Sequence, residues 1–396
     1  MTATETLSSG TVEPGFDGVR DAFEAALAED GASGAGLSIR QDGRTVVDLW
    51  GGTADAETGR AWTSATPSVI FSATKGVMSI LIARLVQDGL LDYDAPVARY
   101  WPEFGRAGKA EVTVGDAVAH RAGLSAPVVD WTTDDLLDWD RSVALLADQE
   151  PLWRPGSGWA YHAITHGWLT GEIVRRVTGS MPGAYLSRLA TDPLGIDAWI
   201  GLPSDRAGDA ATLQVGRTLR ALTLRQREAI DAGASVWPQR ALTLGGALPV
   251  ELVGPGEGFN RPDVQAAQIP GAGGIATAHA LAAFWSAVVA ETDGVRLVDD
   301  ETARAVAVVR SEGAPVFSSP PPWPRWGRGV QLDSEARRYL GSSSIGHDGA
   351  GGQVAFADLD ARIGFAFLTN RMEADDDRAT RIVEALRQAL TAPAAA

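Results

Sequence analysis

The sequence predicts an α/β protein of the α+β type. An antiparallel sheet flanked by helices is assembled from N- and C-terminal segments, with a mainly helical domain inserted between them. Three observations carry this. Short strand-like runs gather at both ends of the chain. The middle has helical periodicity. At 396 residues and 45% hydrophobic, the chain has enough apolar mass for a core serving two lobes. The expected division is 1–75 and 265–396 for the sheet domain and 76–264 for the helical one, with the active site in the cleft between them.

In chain order, residues 17–29 place Val19, Phe23 and Leu27 on one face of an amphipathic helix. GLSIR and TVVDLWG follow as two strands, joined through Asp42-Gly43, a strong hairpin signal. From Lys75 the run GVMSILIARLVQDG is helical and closes at Gly89. Pro96 and Pro102 break the next segment into loop. Residues 112–123 read as a short helix ending at Gly123, and 131–149, 163–178 and 217–232 as further helices. Near the C-terminus RWGRGVQLD, SIGHDGAGG, QVAFADLD and RIGFAFLTN read as four strands, the last two joined near Asp360-Ala361, before a terminal helix DDRATRIVEALRQAL.

Composition narrows the chemistry. Lys plus Arg total 34 against 50 for Asp plus Glu, a net charge of −16. So acidic a chain repels phosphate backbones and anionic bilayers, and neither nucleic acid nor membrane is an expected partner. The absence of cysteine excludes disulfides, thiolate metal sites and cysteine nucleophiles. MTATETLSSGTVEPGFDG has neither a basic nor an apolar signal region, so a cytoplasmic protein is expected. Gly-x-Ser-x-Gly, His-Glu-x-x-His and phosphate-binding glycine loops are absent, and no cofactor or metal is expected.

Lys75 stands out because this chain otherwise carries its positive charge on arginine; Lys109 is the other lysine. Ser72 lies three residues earlier. If Ser72 starts a helix, the i, i+3 spacing turns both side chains the same way. A serine hydroxyl needs a base, and a lysine whose pKa is lowered by burial can serve as one. Arginine cannot, because guanidinium keeps its proton. Tyr161 follows a Pro-Gly turn in RPGSGWAYHAITHGWL and precedes a helix, a good place from which to move a proton. His347 to Ala350 end a strand before glycines, where backbone N–H groups can face a cleft.

Ser72-x-x-Lys75, Tyr161 and His347-Asp348-Gly349-Ala350-x-Gly, in this order, resemble the serine β-lactamase and penicillin-binding-protein-like superfamily. The similarity is to its class C β-lactamase-like branch, which includes the family VIII carboxylesterases, and it spans about residues 20–390. IPGAGGIATAHALAAFWSAV at 269–288 resembles the loop and helix before that family's final strands. The resemblance implies the β-lactamase/transpeptidase-like fold. It implies Ser72 as acylated nucleophile, Lys75 as proton acceptor and Tyr161 as second acid or base. The Ala350 N–H would pair with that of Ser72 as oxyanion hole, with His347, Asp348 and Gly349 lining the pocket. Two departures bear on substrate. Tyr-x-Asn is here Tyr161-His162-Ala163, and Lys-Thr-Gly is here His347-Asp348-Gly349. Lost amide and lost cation both suit an esterase better than a lactamase.

The expectation is a serine hydrolase cleaving small-molecule carboxylic esters of short to medium acyl length through a Ser72 acyl-enzyme. The alternatives are an acyltransferase, an amide or β-lactam hydrolase using the same intermediate, or a non-catalytic binding protein. His120 is expected to be structural. His162, beside Tyr161, is expected to line the substrate site, while His166 is left open. Trp131, Trp153, Trp323 and Trp326 are candidate walls of an acyl pocket.

Overall fold

The computed structural model describes residues 7–317 and 319–392. Its centre is an antiparallel sheet of nine strands: β1 (Ser9–Val12), β2 (Gly34–Gln41), β3 (Arg44–Asp55), β4 (Arg60–Ala61), β5 (Arg325–Trp326), β6 (Gln331–Leu332), β7 (Ser344–Asp348), β8 (Val354–Asp358) and β9 (Ile363–Thr369). The spatial order is β1-β3-β2-β9-β8-β7-β6-β5, with β4 on β3. The two chain ends therefore meet inside one sheet. Strand β9 lies antiparallel to β2, pairing Phe365 with Ile39 and Phe367 with Leu37.

Both faces of the sheet are covered, which is why β2, β8 and β9 are buried along nearly their whole length. Helices α1 (Asp17–Ala28) and α6 (Arg378–Thr391) close one face over Leu37, Ile39, Phe356, Phe365 and Phe367. Helix α5 (Ala278–Val289) lies on the other, against Ala355, Ala366 and Leu368. Between these segments run helices α2 (Ala73–Gln87), α3 (Val114–Val118) and α4 (Thr165–Thr178), with shorter helices and loops. Helix α2 is buried almost all round, including Lys75, as expected of an apolar helix at the centre of a protein.

Three local expectations are corrected. The helix expected to end at Gly123 stops at Val118, because His120 takes the left-handed region at φ 63° and reverses the chain. The 131–149 helix is two, Thr133–Leu137 and Trp139–Asp148. Asp138 breaks it with extended backbone and caps the second with its carboxylate, accepting from the Arg141 N–H at 3.0 Å. RWGRGVQLD is not one strand but a tight hairpin, β5-β6, turning through Gly327-Arg328-Gly329.

Candidate active site

Ser72 sits at the first turn of α2 in the N-cap position, yet its hydroxyl makes no capping bond. The turn is held by its neighbours instead. The Thr74 hydroxyl donates to the Phe71 carbonyl at 2.6 Å and accepts from the Gly274 N–H at 2.9 Å. Phe71 itself is left-handed at φ 45°, a conformation that a bulky residue adopts only when its surroundings impose it, at a cost of roughly 1–3 kcal/mol. Its ring packs edge-on against Phe259 at 5.4 Å. The Ser72 hydroxyl is thereby released from helix duty and turned towards Lys75.

Lys75 is fully buried, and its Nζ has three neighbours. Ser72 Oγ is at 3.0 Å, the Ala163 carbonyl at 2.5 Å and the Gly271 carbonyl at 2.6 Å. No carboxylate pairs with it among the described residues, and burial lowers its pKa well below the ordinary lysine value. The Nζ–H groups donate to the two carbonyls and to Ser72 Oγ, so an amine that has lost one proton would keep both carbonyls and turn its lone pair to the Ser72 hydroxyl. The carbonyls converge because the backbone of α4 crosses the 270–274 loop at close range. A Cβ on Gly167 would lie 2.0 Å from the Gly271 N, and one on Gly271 2.2 Å from the Ile164 O.

The Tyr161 phenol lines the same cleft as Ser72, and burial raises its pKa. Its ring stacks on Trp326 at 5.3 Å and carries Lys75 Nζ 4.9 Å from its centroid. On the far side of the cleft β7 brings His347. Its Nδ1–H donates to the Asp348 carbonyl at 2.7 Å, so Nε2 is the unprotonated nitrogen. Burial and the nearby Lys75 lower the His347 pKa to about 3. Asp348 forms an ion pair with Arg337 at 2.6 Å and accepts from the Tyr339 hydroxyl at 3.1 Å. Gly349 packs so tightly that a Cβ there would lie 2.3 Å from the Ile70 carbonyl, two residues before Ser72. Neither the Ser72 N–H nor the Ala350 N–H donates to an acceptor among the described residues.

A cleft of about 480 Å³ opens over Ser72, Tyr161, His347, Asp348, Gly349 and Ala350. Its apolar wall consists of Trp159, Trp237, Leu242, Phe317 and Trp326. Of the tryptophans read from sequence, only Trp326 lies there. Trp131 is core, packed on Trp168, and Trp153 packs behind the wall on Phe317 and His162. Trp159 and Trp237 were missed; Trp159 stands two residues before Tyr161, while Trp237 has no such motif beside it. His162 also departs from expectation. It is fully buried and is not a wall residue, because both ring nitrogens are engaged by backbone. Nδ1–H donates to the Ala160 carbonyl at 2.7 Å, and Nε2 accepts from the Leu124 N–H at 3.1 Å. Burial lowers its pKa to about 4. His162 thus clamps the loop that carries Tyr161. His120 accepts from the His162 N–H at 3.2 Å and lies under the Tyr161 ring at 4.9 Å. Among the described residues there is no cluster of side chains able to hold a metal ion.

A family model described as Beta-lactamase matches residues 19–389. The chain belongs to the Beta-lactamase family. Within it, the chain is 32% identical over 382 residues to the esterase/beta-lactamase LipL of Mycobacterium tuberculosis, covering 92% of this chain and 83% of the relative. Among solved structures it is similar to a family VIII carboxylesterase, with 32% identity and a TM-score of 0.82, covering 96% of this chain and 99% of the other. It is equally similar to a penicillin-binding protein homolog from Caulobacter crescentus, with 33% identity, a TM-score of 0.83 and the same coverage. The family's β-lactamase/transpeptidase-like fold is the fold described above.

Proposed function

We propose that this chain is a serine hydrolase of small-molecule carboxylic esters, acting through an acyl-enzyme on Ser72. The observation that carries the reading is the Lys75 amine: buried, without a counter-ion among the described residues, 3.0 Å from Ser72 Oγ and held by two carbonyls. Its family relatives named as esterase and carboxylesterase support the reaction class.

The proton balance follows from the two pKa directions. Lys75 takes the Ser72 proton as Oγ attacks the ester carbonyl. The oxyanion forms against the N–H groups of Ser72 and Ala350, both free of other acceptors among the described residues. Tyr161, whose raised pKa keeps it a phenol at neutral pH, protonates the departing alkoxide. This leaves an ammonium on Lys75 and a phenolate on Tyr161. In the second half, Tyr161 takes a proton from the attacking water, and Lys75 returns its own to Ser72 Oγ as the acid leaves. Both residues end as they began.

The test is alcohol release from a 4-nitrophenyl short-chain ester, together with fluorophosphonate labelling read by intact mass, for wild type and Ser72→Ala. Wild type is expected to turn over and to gain one label, and the variant to do neither while keeping its thermal midpoint. Turnover by Ser72→Ala within about tenfold of wild type would refute the assignment, because removing an activated nucleophile costs several orders of magnitude.

A further inference from the structure

Among the residues that wall the cleft, Asp348 is the one charged side chain. Its carboxylate is held in place from behind. Arg337, with only 13% of its side chain exposed, pairs with Oδ2 at 2.6 Å, and the buried Tyr339 hydroxyl donates to Oδ1 at 3.1 Å. Asp348 keeps 30% of its side chain exposed, whereas Arg337 is not a wall residue. The cleft therefore meets the carboxylate first, and the guanidinium behind it is already neutralised. His347 next to it is buried, which disfavours its imidazolium form, and its Nδ1–H is turned to the Asp348 carbonyl. The rest of the wall carries no formal charge: aromatic and aliphatic side chains, with the hydroxyls of Ser72, Ser125 and Ser319 and the Gln331 amide among them.

We infer that the Asp348–Arg337 pair is a specificity device that restricts the site to uncharged esters, with Asp348 masking a guanidinium that would otherwise receive a substrate carboxylate. The inference rests on the proposed esterase reading and deepens it by naming the substrate class: neutral esters with apolar or aromatic groups and no anion. An incoming carboxylate meets like charge in a low-dielectric wall, where unit charges some 8 Å apart interact by about tenfold or more in an equilibrium constant. Removing the Asp348 charge reverses the sign of the field, because Arg337 is then unmatched.

The experiment compares kcat/KM for two ester pairs, each differing in one carboxylate: 4-acetylphenyl against 4-carboxyphenyl butyrate, and dimethyl adipate against methyl hydrogen adipate. Asp348→Asn keeps the side-chain shape and the acceptor for Tyr339. It is expected to shift the anionic-to-neutral ratio by about tenfold or more towards the anion in at least one pair. Arg337→Gln, which leaves the carboxylate unmatched, is expected to shift the ratio the other way. The double variant is expected to lose the gain. An unchanged ratio in Asp348→Asn for both pairs, or a gain that survives in the double variant, would overturn the inference. If Asp348→Asn does not fold, Arg337→Gln decides alone, and an unchanged ratio there overturns it. Ser72 labelling by fluorophosphonate in wild type separates these outcomes from a failure of the esterase reading, which would abolish labelling and both rates.

Discussion

The Lys75 nitrogen faces two carbonyl acceptors and one hydroxyl. Its folded pKa is depressed, so the reactive amine is present above that pKa and is lost as pH falls through it. Tyr161 is shifted the opposite way and stays protonated past the ordinary tyrosine range. The expected profile of kcat/KM has one acidic limb, ending below the ordinary lysine pKa, and then a plateau with no alkaline fall through pH 10. A rate that climbs steadily to pH 10.5 would mean that Lys75 titrates as an exposed lysine. Lys75→Arg puts a permanent cation in place of the proposed base, and kcat is expected to fall by about 10²- to 10⁴-fold. The pairing of Ser72 and Lys75 was legible in sequence because helical spacing alone sets it. The two carbonyls were not, since Ala163 and Gly271 are 88 and 196 residues away from Lys75 in the chain. Nor was the left-handed Phe71, for nothing in a Phe side chain announces that backbone conformation.

The helix and the loop that meet at Gly167 and Gly271 set the site's geometry at the next scale up. Their backbones approach to a distance that no side chain can share. Gly271→Ala must push the loop away from Ile164 and so draw the Gly271 carbonyl off Lys75. The variant is expected to lose activity well beyond its loss of thermal stability. Equal activity in Gly271→Ala would show that the crossing is only packing. Elements were legible where periodicity was strong, as in α1, α2, the β2-β3 hairpin and the β7-β8-β9 strands. They failed where a short break or turn interrupted the run, as at His120, Asp138 and Gly327-Arg328-Gly329. The cleft's aromatic wall was mostly illegible because Trp159, Trp237 and Phe317 reach it from separate loops and a short helix.

Across the molecule, four buried imidazoles at 120, 162, 166 and 347 have pKa values pushed down by burial, to about 4 for His162 and about 3 for His347. In the unfolded chain each titrates near 6.5. Between that value and the folded ones the unfolded state binds more protons, so the stability these groups permit at neutral pH is lost as pH falls below about 6.5. Glu373, lowered to about 2 by its bonds to Thr218 and Arg371 against the opposing effect of burial, adds to the loss once pH drops below the ordinary carboxylate range. The thermal midpoint is expected to fall steadily from pH 7 to pH 5.5, where few carboxylates have yet titrated. A flat profile across that interval would mean that the imidazoles are protonated in the folded protein.

The meeting of β2 with β9 also governs how the protein is born. Gln41 is synthesised early, yet its ladder partner Ile363 emerges near the end of translation. Until then the N-terminal hairpin carries an open edge of unpaired N–H and C=O groups, which invites pairing with another chain. The sheet closes after most of the polypeptide has left the ribosome, and a chain truncated before residue 363 would carry that open edge permanently.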